Sequence, residues 1–241
     1  MAYSADAFNH HISMLTDPEH GVVHATTMPS VFQIGNVENP RRYIAQRPLV
    51  VVTGPSRAGK DTVLAALMAT GAYSHVKTAT TRRPRVGEAI DAYTWMRPAH
   101  NAEAPDDYLA ALTGEYRLIE TDVHHGDVYG LPAGNLESIS TDKTPLLNTD
   151  TRGIRSLKKN LVGTFSIVSF LICPPSAEEL ASRMAALGHQ ADGRLTVGQS
   201  YLEDAASCVD YVVLNRTQQN VTKAASAIAD QVHNIILSDI A

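Results

Sequence analysis

The segment LVVVTGPSRAGKDTVLAALMATG, residues 49–71, constrains this chain more than any other stretch. Its first five residues are apolar or β-branched and stop at Gly54, which reads as a buried strand. From Asp61 onward the spacing changes to that of a helix, which ends at Gly71. Between the two lie Gly54, four residues, Gly59 and Lys60. A strand, a glycine loop and a helix N-terminus form an anion site, because loop N–H groups and the positive end of the helix face the same point. The general nucleotide-phosphate pattern is Gly, any four residues, Gly, Lys, then Ser or Thr, with the hydroxyl helping to hold Mg²⁺. Here Asp61 takes the hydroxyl position and Thr62 follows it.

Two readings of Asp61 stand side by side. A carboxylate in the first helical turn suits the helix dipole; it is also a hard oxygen ligand for Mg²⁺, directly or through water. A carboxylate beside phosphates repels them unless a metal lies between. Thr62 can supply the missing hydroxyl, although one step along a helix turns it by about 100°. The competing reading of the whole loop is a glycine-bearing turn with a surface lysine. The flanking strand and helix favour a phosphate loop made of Gly54, Pro55, Ser56, Arg57, Ala58, Gly59, Lys60, Asp61 and Thr62.

Further apolar runs suggest strands at 75–80, 115–121, 144–149, 164–173 and 210–215, and helical patterns occur around 134–140 and at 151–160, 176–187, 195–208 and 217–237. Strands alternating with helices predict an α/β fold with a parallel sheet covered on both faces. Residues 1–47 show little regular periodicity and are punctuated by Pro18, Pro29 and Pro40, so an N-terminal extension is expected ahead of a domain at 48–241. His10, His11, His20 and His24 lack a carboxylate or thiolate at ligand spacing and read as surface histidines.

With 44% hydrophobic and 19% charged residues, the 241-residue chain is expected to fold as a soluble globular protein. A net charge of −5 argues against a general nucleic-acid binder. No apolar run reaches the length of a membrane span, and the first twenty residues lack the basic start and apolar stretch of a leader. Cys173 and Cys208 make no disulfide framework, which suits a reducing, cytoplasmic setting.

A second constellation is TATTRRPRVGEAIDAYTWM, residues 78–96. Arg82, Arg83 and Arg85 beside hydroxyl donors can cradle a phosphate dianion, or they can form a basic turn on a solvated surface. Taken together and in this order, GPSRAGKDT and TTRRPRVGEAIDAY resemble the guanylate kinase family of P-loop nucleoside monophosphate kinases, whose segments read GPSG.GKST and TTR.PR.GE..G.DY. The resemblance continues through EYRLIETDVHHGDVYGLP, LLNTDTRGI, LICPPSAEELASRM and VDYVVLN, and spans about 49–238.

That resemblance implies a P-loop kinase fold, with a parallel sheet flanked by helices, a small acceptor-binding subdomain at about 78–132 and a lid at about 183–195. It implies that Thr78, Arg82, Arg85 and Tyr93 hold an acceptor phosphate with help from Tyr129, and that Glu88 lies nearby. Glu120 and Asp150 match the carboxylates that read guanine. Arg183 and Arg194 match lid arginines that close over the transferring phosphoryl group. The activity implied is phosphoryl transfer from ATP with Mg²⁺, from GMP to GDP, with small-molecule nucleotides as the partners. Lys60, Arg82, Arg85, Arg183 and Arg194 would carry the catalytic charge.

Some positions depart from the family pattern. Leu131 replaces the serine after Tyr129–Gly130, Leu187 stands where a lid arginine precedes glycine, Asn148 replaces an acid, and the spacing from Glu88 to Tyr93 is one residue shorter. The GKD form of the loop also occurs in ribose 1,5-bisphosphate kinases. An acceptor of that kind needs no guanine-reading acids, which this chain retains. A non-catalytic binding module is the remaining alternative; it has no use for an intact Lys60 and the arginine set.

Overall fold

Leu49, Val50, Val51 and Val52 are all fully buried. Side chains alternate along the strand, so Leu49 and Val51 enter one core cluster while Val50 and Val52 enter another. Helices covering both faces leave no polar side, which is why this strand reads as a continuous apolar run. The computed structural model describes residues 5–16, 31–33, 47–96, 105–124, 126–186, 192–215, 230 and 233–234.

In chain order the elements begin with helix α1 (Ala5–Thr16) and strands β1 (Val31–Gln33) and β2 (Arg47–Thr53), followed by α2 (Lys60–Ala69), β3 (Tyr73–His75), β4 (Ala79–Thr80) and β5 (Thr94–Trp95). Then come α3 (Pro105–Tyr116), β6 (Leu118–His124), β7 (Asp127–Pro132), α4 (Ala133–Glu137), β8 (Thr144–Asn148) and α5 (Thr151–Asn160). The last elements are β9 (Phe165–Cys173), α6 (Ala177–Ala185), α7 (Asp192–Ala205) and β10 (Tyr211–Leu214).

The main sheet has the order β1-β10-β9-β2-β8-β3. All its neighbours run parallel except β1, which pairs antiparallel with β10. β2 lies between β8 and β9, so its carboxyl end opens at the crevice where chain order switches direction, the usual ligand position in open α/β sheets. A second sheet, β5-β4-β7-β6, is largely antiparallel and has its own core of Ala79, Met96, Leu112, Leu118 and Val128. The α/β fold with a mostly parallel, helix-flanked sheet is therefore as expected from the sequence.

Several local readings are corrected. Residues 75–80 are not one strand: His75 ends β3 in the main sheet, and Ala79–Thr80 begin the second sheet as β4. Glu115 and Tyr116 close α3, and Arg117, at φ 48, turns the chain into β6. The helix expected at 217–237 falls almost wholly outside the described residues. Ala5–Thr16 is a helix rather than irregular chain. Phe8, Ile12 and Leu15, spaced as one helical face, enter the main core.

α1 packs against α6 and α7. The Asn9 side-chain oxygen accepts from the Ala177 N–H at 2.8 Å, and its amide donates to the Glu178 carboxylate at 3.2 Å. Ser176 caps the same helix by accepting from the Glu179 N–H. Phe8 is 1% exposed and sits so close to Gly198 that a Cβ there would come within 3.0 Å of its ring. Truncating Phe8 leaves a cavity that this backbone contact cannot easily close. Phe8→Ala is expected to cost about 3 kcal/mol in chemical denaturation; a loss below about 0.5 kcal/mol would show that α1 contributes little to the core.

Candidate active site

The turn after β2 depends on two glycines. At Gly54 (φ 147) an added Cβ would run into the Ile172 carbonyl of β9, and at Gly59 (φ 96) it would run into the Asn215 side-chain amide. Gly59 caps α2 without any side-chain hydrogen bond, so the first-turn N–H groups are left for a ligand. Lys60 folds back and donates to the carbonyls of Gly54 (2.7 Å) and Pro55 (2.9 Å). Burial lowers its pKa, and the charge of Asp61 opposes that shift. Beneath the loop, Thr53 donates to the Thr149 carbonyl at 2.7 Å and is hydrogen-bonded to the Tyr201 hydroxyl from α7.

A cavity of about 630 Å³ opens beside this loop, and Arg57, Lys60, Asp61, Thr62, Arg85 and Arg183 are among its lining residues. Amide donors, a lysine and two hard oxygen side chains match the chemistry of a Mg²⁺-bound polyphosphate. Arg183 donates to the carbonyls of Ala58 (3.2 Å) and Asn215 (2.7 Å) and to the Glu179 carboxylate (3.0 Å). It thus braces the loop and also makes the ordinary helix-surface pair with Glu179. Asn215 donates to the same Ala58 carbonyl at 2.7 Å.

A smaller cavity of about 150 Å³ lies between the two sheets, where Thr78, Tyr93, Glu120, Tyr129, Asn148 and Asp150 meet. Glu120 is 7% exposed, and its pKa is pushed up to about 7 by burial first, then by the charges of Asp150 and Asp122. Asp150 caps α5 by accepting from the Gly153 N–H at 2.8 Å. Arg82 forms a two-pronged pair with Glu88, at 2.7 and 3.0 Å. Its guanidinium stands over Tyr93 and Trp95, with the centroids 5.4 and 5.7 Å away. The Arg82 hydrogen bonds, and then the Arg85 N–H at 2.8 Å, hold Glu88 near pKa 2.

A third cavity of about 600 Å³ joins these parts, since Gly54, Pro55 and Ser56 of the loop line it together with Asp150, Tyr201 and Asp204. Asp150 lines both this space and the Glu120 cavity. Asp204 in the lining of this space pairs with Arg155 at 2.6 Å, and Arg152 pairs with Asp122 of the Glu120 cavity at 2.9 Å.

The residues expected from the sequence are thus distributed unevenly. Thr78, Tyr93, Glu120, Tyr129 and Asp150 come together in one cavity. Arg82 stands against two of that segment's aromatic rings, and Glu88 serves as its carboxylate support. Arg85 lines the loop cavity instead. Arg194 lies in the first turn of α7, and its side chain and Leu187 lie outside the described residues. His20 and His24 also lie outside them, and among the described residues no cluster of three or more His, Cys, Asp or Glu is placed for a metal. No described helix is long and apolar enough to cross a membrane. Tyr201 was not foreseen, because its partner Thr53 is 148 residues away and nothing in its own helix marks it.

The guanylate kinase family profile matches residues 45–233. A guanylate kinase of Synechocystis sp. is 32% identical over 173 residues, covering 69% of this chain and 85% of that protein. One from Clostridium acetobutylicum is 31% identical over 186 residues, covering 75% and 84% respectively. The crystal structure of guanylate kinase from Anaplasma phagocytophilum shares the fold, with a TM-score of 0.56 at 23% identity over 80% of this chain and 86% of that one. With the loop at the switch point, the second sheet beside it and this match over most of the sequence, the chain belongs to the guanylate kinase family of phosphotransferases.

Proposed function

We propose that this enzyme transfers the γ-phosphoryl group of ATP to a nucleoside monophosphate, and that the acceptor is GMP. The observation that carries the reading is the pair Glu120 and Asp150 on a cavity connected to the phosphate loop. Guanine offers N1–H and an exocyclic amine side by side, and two carboxylates accept from both; adenine offers no such donor pattern. The relatives named guanylate kinase support the same acceptor.

The chain's own part is positioning and charge. Loop N–H groups receive the donor phosphates, and the Lys60 amine exchanges two carbonyl partners for phosphate oxygens. Arg82, held by Glu88 and standing over Tyr93, would bring its positive charge to the acceptor phosphate. Arg85 lines the loop cavity, where it would add positive charge beside the donor phosphates. Asp61 and Thr62 would hold Mg²⁺, which when bound neutralises charge on the donor phosphates. The reaction requires no protein nucleophile.

ADP release with ATP and Mg²⁺ should be seen with GMP and dGMP and not with AMP, UMP or ribose 1,5-bisphosphate. Turnover on the sugar phosphate alone would sink the acceptor assignment, and silence with all five would favour a binding module. Lys60→Ala should lower kcat by at least about a hundred-fold with the fold intact, as judged by circular dichroism.

Glu120 supplies a pH dependence. Its raised pKa leaves much of it protonated below about 7, and a protonated carboxyl cannot accept fully from a donor edge. KM for GMP is therefore expected to rise as pH falls from 8 to 6. Glu120→Gln should weaken GMP at pH 8 and flatten that profile; an unchanged profile would remove Glu120 from base recognition. Asp61→Ser should shift the Mg²⁺ concentration giving half-maximal rate, and no shift would leave Asp61 as a helix-end charge only.

A further inference from the structure

Within the loop, Arg57 has φ 69, one of two positive-φ residues other than glycine among those described. Glycine adopts that conformation freely and side chains seldom do. The loop therefore holds a long cationic side chain where the backbone alone would favour glycine. Such an exception at a functional site points to a use for the side chain. Arg57 is exposed and lines the same cavity as Lys60, Asp61, Thr62 and Arg85.

Lys60 and Arg85 line that cavity too and are assigned to the phosphates above; two further arginines also hold protein groups in place. Arg183 braces Ala58 and Asn215, and Arg82 is held by Glu88. The link between α6 and α7, Leu187-Gly-His-Gln-Ala191, contains no arginine or lysine.

We infer that the Arg57 side chain is a catalytic arginine, supplied by the phosphate loop itself, that stabilises the phosphoryl group during transfer. The inference rests on the phosphoryl-transfer reading above. In that step an acceptor phosphate oxygen forms a bond to the γ-phosphorus. The bond from γ-phosphorus to the β–γ bridging oxygen breaks, and its electron pair stays on the β-phosphate of ADP. Charge moves onto the bridging oxygen and the three oxygens in flight, and no proton has to move. A guanidinium fork beside the loop amides meets that charge as it develops. The backbone role of residue 57 in the loop is separate, since any residue supplies the same N–H.

Arg57→Gly separates the two roles, because glycine relaxes the backbone while deleting the guanidinium. The variant is expected to melt at the same temperature as the parent or higher and to lose at least about a hundred-fold in kcat on its best acceptor. Arg57→Lys, which keeps the charge and loses the fork, should fall between the two. The same protein should also be titrated with ADP and with a non-hydrolysable ATP analogue, both with Mg²⁺. Arg57→Gly should weaken the triphosphate about ten-fold more than the diphosphate, a result independent of acceptor. Turnover within two-fold of the parent, or equal weakening of both nucleotides, would overturn the assignment. If the parent phosphorylates no acceptor, the acceptor reading fails, and the diphosphate-to-triphosphate ratio still decides the role of Arg57.

Discussion

The passage of the backbone at Gly54 against the Ile172 carbonyl of β9 sets the position of everything else in the site. A side chain there would force β2 and β9 apart, and the two strands are paired along the full length of β2. With glycine in place, the loop can leave the sheet at once and wrap back onto the N-terminus of α2. Gly59 completes the wrap by lying against Asn215 at the end of β10. The loop is therefore seated on three neighbouring parallel strands, at the crevice beyond their carboxyl ends.

The same crevice gathers groups that would repel one another elsewhere. Glu120, Asp122 and Asp150 approach from β6 and from the start of α5, and burial adds to the cost of charging Glu120. A group that donates hydrogen bonds into this cavity would offset that cost, which is the physical basis of the acceptor proposed above. The cationic side is arranged with equal economy. Arg82 is fixed by Glu88 and by aromatic rings, while Arg183 is tied to the loop. α1 presses Phe8 and Asn9 onto α6 and α7, the two helices that carry Arg183 and Arg194.

Legibility in the sequence followed the range of the interactions. The strand, loop and helix at 47–69 are one local unit whose apolar run, glycines and helix start lie side by side, so they were readable directly. Glu120 and Asp150 carry no local mark in the sequence beyond the family resemblance, because the burial that raises the pKa of Glu120 is a property of the folded cavity. Two-residue strands such as β4 and β5 exist because β7 and neighbouring backbone complete their hydrogen bonds, and no periodicity can show in so short a run. The turn at Arg117 bears neither glycine nor proline, so the boundary between α3 and β6 had no local mark. α1 did carry a signal, Phe8, Ile12 and Leu15, but polar Asn9, His10 and His11 interrupt it.

If the loop cavity and the Glu120 cavity are two halves of one phosphoryl-transfer site, a ligand that fills both must gain from each. The most direct measurement is calorimetric titration with adenosine and guanosine joined through five phosphates, against ADP, GMP and the diadenosine analogue. One molecule per chain should bind at least about a thousand-fold tighter than ADP or GMP alone, because the second half binds at high effective concentration. It should also bind more tightly than the diadenosine compound. Binding no tighter than ADP, with no preference for guanosine, would contradict the account.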